Sequence, residues 1–101
     1  MSLSLDAATT RHLAELCRRH GIRHLAMFGS ATRGDFDPLK SDVDLVVEFS
    51  PNRIPGLGFF GLHREFEEIL GRPVDLVTRA MLSERIRDRA IRDSVILYDA
   101  A

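Results

Sequence analysis

The chain has 101 residues, 45% hydrophobic and 29% charged, enough for one domain to bury a core without disulfide or metal staples. With Lys+Arg 14 against Asp+Glu 15, the formal net charge is −1, which excludes the broad basic field expected of nucleic-acid or anionic-membrane binders. The single Cys17 excludes an internal disulfide and fits a reducing compartment, and no apolar run approaches the roughly 18 residues of a membrane span. The start, "MSLSLDAATT", lacks a basic, apolar leader. The expectation is a single cytoplasmic domain over 1–101.

Along 5–19, Leu5, Ala8, Leu13, Leu16 and Cys17 follow helical spacing, with Ser4 or Asp6 placed to cap the start and Gly21 to stop the helix. "IRHLAMF" (22–28) reads as a buried strand that ends in the turn Gly29-Ser30, and 31–41 as a short helical turn or loop broken by Pro38. "DVDLVVEF" (42–49) is the clearest strand, followed by a Pro/Gly-rich loop over 50–58. Over 59–70, Phe59, Phe60, His63, Phe66, Ile69 and Leu70 recur at three and four, which predicts a helix ended by Gly71. "RPVDLVT" (72–78) predicts a third strand, Ser83 caps a helix to about Arg92, and "SVILYD" predicts a last short strand. The connection between the first two strands is too short for a crossover, so they pair antiparallel. The order predicts an α+β (α/β two-layer) fold, with helices packed on a mixed β-sheet.

Two aspartates one residue apart at the mouth of an apolar strand require an explanation, because Asp is depleted in strands. Strand alternation sends Asp42 and Asp44 to one face, Cα atoms about 6.5 Å apart, and Val43, Leu45 and Val47 to the other. Asp75 interrupts the third strand in the same way. If those strands are neighbours, three carboxylates converge, and a hard cation such as Mg²⁺ or Mn²⁺ would neutralise them. Gly29 lets a backbone N–H approach an anion, the Ser30 hydroxyl adds a donor, and Arg33 offers a two-donor fork to a phosphate. One wall for phosphate and one for metal is the arrangement of phosphoryl or nucleotidyl transfer, in which a carboxylate accepts the proton of an attacking hydroxyl. Each feature also has a plainer reading: a turn at Gly29-Ser30, a capping pair at Asp42 and Asp44, a salt bridge at Asp75, a solvated Arg33. Asp35 and Asp37 read as turn formers, His63 as a histidine at the core edge, and Phe59 and Phe60 as core anchors. The 50–58 loop is also a candidate partner or substrate loop.

"FGSATRG", "SDVDLVVEF" and "RPVDLVT" together resemble the minimal nucleotidyltransferase family of the DNA polymerase β-like superfamily, and the resemblance covers nearly the whole chain. It implies the nucleotidyltransferase fold. Gly29 and Ser30 would bind a nucleoside triphosphate, ATP as donor, and Arg33 stands at the family's GSxxRG position. Asp42 and Asp44 would bind two Mg²⁺ ions, and Asp75 would complete one metal site and serve as general base. Eleven residues separate Ser30 from Asp42 where the family usually has ten, and the extra one falls in the loop "GDFDPLKS".

Larger members of the superfamily carry a second domain for the acceptor. In the minimal family the acceptor comes from another polypeptide, commonly a HEPN-domain ribonuclease toxin whose tyrosine receives AMP from ATP, so that the nucleotidyltransferase is an antitoxin. The alternatives are nucleotidylation of a small hydroxyl compound with a partner subunit supplying the pocket, and a non-catalytic antitoxin that only binds its toxin. Direct action on nucleic acid is disfavoured by the near-neutral charge, and a homo-oligomer stays open.

Overall fold

The computed structural model describes residues 5–32, 42–52 and 58–100. Helix α1 (Ala7–His20) begins where the Asp6 carboxylate accepts from the Thr9 N–H at 2.7 Å. Those Thr9 hydrogen bonds hold the Asp6 carboxyl below its usual range. Of the helical positions foreseen, Leu13, Leu16 and Cys17 are buried, whereas Ala8 is exposed in the first turn. Gly21, at φ 69°, ends α1 in the left-handed conformation and turns the chain into strand β1 (Ile22–Phe28).

A tight 3₁₀ turn, Gly29–Thr32, follows β1, and strand β2 (Val43–Phe49) returns antiparallel to it. Helix α2 (Gly58–Leu70) then crosses to strand β3 (Val74–Thr78), which lies parallel to β2, as a helical crossover requires. After a 3₁₀ turn at Arg79–Met81, helix α3 (Glu84–Arg92) leads to strand β4 (Val95–Asp99), antiparallel to β1 on its other side. The sheet order is β3-β2-β1-β4, so the strands that carry the aspartates, β2 and β3, are neighbours.

Helices α1 and α2 pack on one face of this sheet. Leu13, Leu16, Cys17, Leu62 and Phe66 meet Leu25, Met27, Val43, Leu45, Val47, Val74 and Leu76 in one core. Val43, Leu45 and Val47 thus face the core as alternation required. Phe59 packs against this core and meets Phe49 edge-to-face, ring centroids 6.5 Å apart, so it is an anchor; the side chain of Phe60 lies outside the described residues. Where α1 ends, His20 Nε2 and Arg19 Nη1 reach the two Glu65 carboxylate oxygens of α2 at 2.7 and 3.7 Å. Among the described residues no helix is long and apolar enough to cross a membrane.

Candidate active site at the β1 turn and the mouths of β2 and β3

Because β1 runs against β2 and β3, its C-terminal end lies beside their N-terminal ends. Phe28, the last residue of β1, is the register partner of Asp44, and Asp44 is the register partner of Asp75. Parallel register partners share a face, and neighbouring strands lie about 4.8 Å apart, so the two aspartates are side by side on the face away from the helices. Asp42 stands one residue before β2, two residues from Asp44, and is exposed. Like charges so placed repel each other. Burial cannot account for the pair either: Asp75 is exposed and Asp44 half-buried.

The turn after β1 is shaped around Asp44. Gly29 has φ +71°, and the Thr32 hydroxyl donates to its carbonyl at 2.9 Å, closing the turn. A side chain is disfavoured at Gly29 for two reasons. Its backbone is left-handed, and a Cβ there would overlap Asp44 Oδ2 and stand 3.1 Å from Asp44 Cγ. The glycine therefore lets backbone and carboxylate lie against each other. Ser30 continues this turn, but its side chain lies outside the described residues. Arg33, Asp35, Asp37, Lys40 and Ser41 lie outside them too, as does the segment holding the extra residue of the Ser30–Asp42 spacing.

A cleft of about 270 Å³, lined by Phe59 and His63 of α2 with Val74 and Leu76, also takes in Asp42 and Asp75. His63 is half-buried at the edge of the core, and its Nε2 donates to the Val74 carbonyl. The Val74 N–H donates to Glu67 Oε2 at 3.0 Å, and His63 Nε2 lies 3.6 Å from the same oxygen. Neither His63 nor Glu67 was given a role at the site by sequence reasoning. Their i,i+4 spacing on one side of a helix was the available signal.

Among the described residues, no three Asp, Glu, His or Cys side chains gather at a spacing ready to hold an ion. The aspartates meet in pairs instead: Asp44 with Asp75 by register, Asp42 with Asp75 along the cleft. Such an all-oxygen donor set suits Mg²⁺ or Mn²⁺, because Mg²⁺ is normally held by one or two carboxylates and leaves the rest of its shell to water and substrate phosphates. The residues present fit that role.

Comparison with known proteins agrees with this architecture. The family model described as "Nucleotidyltransferase domain" matches residues 10–97. Protein adenylyltransferase MntA of Thermococcus cleftensis is 37% identical over 92 residues, which cover 90% of this chain and 90% of that protein. A solved structure described as a minimal nucleotidyltransferase is 35% identical, with a TM-score of 0.71 over 88% of both chains. The same fold, at 17% identity and a TM-score of 0.65, occurs in a complex of a tri-AMPylated Shewanella oneidensis HEPN toxin with its MNT antitoxin, where 91% of this chain and 71% of that one align. With a match that runs from α1 into β4, the chain belongs to the nucleotidyltransferase domain family and is a nucleotidyltransferase.

Proposed function

We propose that this nucleotidyltransferase uses Mg²⁺ and ATP to transfer AMP to a tyrosine of a HEPN-domain ribonuclease toxin, and so acts as its antitoxin. The observation that carries the reading is the side-by-side register of Asp44 and Asp75 next to the left-handed Gly29 turn. Two neighbouring carboxylates beside a left-handed glycine turn suit a site that takes a cation on one side and an anion on the other. A relative 37% identical is named for protein adenylylation, and a complex of the same fold holds an AMPylated toxin; both favour a protein acceptor.

Each residue then has a defined task. The Gly29-Ser30 backbone receives the triphosphate, the Ser30 hydroxyl donates to a phosphate oxygen, and Arg33 grips a second one as a planar fork. Asp42, Asp44 and Asp75 would hold the metal, which supplies charge neutralisation at the phosphates when bound. Asp75, exposed at the cleft, accepts the proton of the acceptor hydroxyl. The phenolic oxygen forms a bond to the α-phosphorus, the bond from that phosphorus to the bridging oxygen breaks, and pyrophosphate leaves.

The test is mass spectrometry of the protein encoded in the neighbouring reading frame, incubated with ATP and Mg²⁺ with and without this chain. AMP on a tyrosine only when both are present supports the reading. An unmodified neighbour that is nevertheless bound and silenced would overturn it in favour of a non-catalytic antitoxin. AMP appearing only on a small hydroxyl compound would move the acceptor class.

A further inference from the structure

Among the described residues β3 is an edge strand: β2 lies on one side of it, and no strand lies on the other. On the β2 side, the Val43 N–H donates to the Pro73 carbonyl at 3.0 Å. Alternation then turns the N–H and C=O of Val74 outward, where an edge strand would leave them to water. Here both are taken by one helix. Glu67 accepts from the Val74 N–H at 3.0 Å, and His63 donates to the Val74 carbonyl. His63 and Glu67 are one turn apart on α2, and each directly follows a buried residue that anchors the helix, Leu62 and Phe66. The same helix ends at Gly71, whose N–H bonds the Glu67 carbonyl at 2.8 Å, only three residues before Val74.

We infer that His63 and Glu67 are positioning residues for the transfer site, clamping both backbone polar groups of Val74 so that Asp75 is held beside Asp44. Val74 is the residue immediately before Asp75. Without the clamp, the start of β3 is fixed, among the described residues, from the β2 side alone, and Asp75 is an exposed side chain. The clamp acts through the backbone. His63 needs only an N–H at Nε2, and Glu67 only an accepting oxygen. A glutamine at 63 carries its amide N–H the same number of bonds from Cα, so it can replace the donor without an imidazole. This inference rests on the aspartate site being the one used in transfer.

The experiment compares wild type, His63→Ala, His63→Gln and Glu67→Ala. It reads Val74 amide exchange, Mn²⁺ affinity in the presence of a non-hydrolysable ATP analogue, and AMP-transfer kcat and KM for ATP. Partners one step behind a metal ligand typically alter metal affinity or activity about 10- to 100-fold. The expected result is faster Val74 exchange in both alanine variants, Mn²⁺ affinity and kcat lowered about 10-fold, and KM for ATP near the wild-type value. His63→Gln should return all three readouts close to wild type. Faster Val74 exchange with Mn²⁺ affinity and kcat unchanged would overturn the inference, since the clamp would then be a structural cover for the edge. Failure of His63→Gln to rescue kcat while it restores exchange would also overturn it, because the imidazole would then act on the reactants. A wild type that binds Mn²⁺ and nucleotide but transfers nothing would count against the proposed function, and the Mn²⁺ and exchange readouts would still decide the clamp.

Discussion

Gly29 and Asp44 occupy each other's space. The carboxylate lies where any side chain at position 29 would have to go, and the glycine's φ of +71° already disfavours one. Gly29→Ala therefore has to move either the turn or the aspartate. The expected outcome is a loss of stability above the roughly 1 kcal/mol of ordinary glycine effects, together with a loss of transfer activity. Gly61, inside α2, is the control: among the described residues, no atom beyond its chain neighbours and the helix's own backbone lies within 4 Å of where a Cβ would stand. Gly61→Ala should be neutral or stabilising by up to about 1 kcal/mol, with activity retained. Urea unfolding of the two variants beside wild type makes the comparison.

Ser30 and Arg33 are assigned to the phosphates by their place just after β1. Ser30→Ala should weaken ATP use by one charge-assisted hydrogen bond, roughly 1.5–3 kcal/mol, and Arg33→Ala by at least as much. Calorimetric titration with a non-hydrolysable ATP analogue reads this directly. Wild-type affinity in both variants would place the phosphate wall elsewhere.

Cys17 is fully buried between α1 and the sheet, and that burial pushes its thiol up to about 12. A thiol raised in the fold binds its proton more tightly than in the unfolded chain, so its contribution is intact below about pH 9 and lost as pH climbs from there towards 12. Relative to Cys17→Ala, wild type should lose stability on the order of 1 kcal/mol between pH 7 and pH 10. Paired urea titrations at the two pH values test this. The thiol should also resist alkylation in the folded protein, because the thiolate is the reactive form.

Much of this fold was legible because single residues marked its boundaries. Gly21 and Gly71 end α1 and the α2 region with φ of 69° and 68°, and the β2 alternation separated Val43, Leu45 and Val47 from Asp44 without reference to any other element. The third strand was expected from residue 72 but begins at Val74. Pro73 has no N–H to give to a ladder, and it enters the sheet only through its carbonyl. Pairing was harder to read. Alternation within a strand shows which residues share a face, but Asp44 meets Asp75 only because α2 returns the chain parallel to β2 in that one register. His63 and Glu67 were opaque for a different reason. A His/Glu pair four apart on an amphipathic helix looks the same whether it is a surface ion pair or a clamp on another strand.

The metal–phosphate role of the Asp44–Asp75 pair is tested most directly by melting wild type and Asp75→Asn, each with and without Mg²⁺ and a non-hydrolysable ATP analogue. Removing one of two neighbouring like charges should leave the ligand-free melting temperature unchanged or higher. Wild type should gain about 2.7 kcal/mol when ligand is present at a hundred times its Kd, since only the folded state binds, and Asp75→Asn should lose most of that gain. A lower ligand-free melting temperature in Asp75→Asn, with the nucleotide response undiminished, would make Asp75 part of the fold's own support and contradict its role in catalysis.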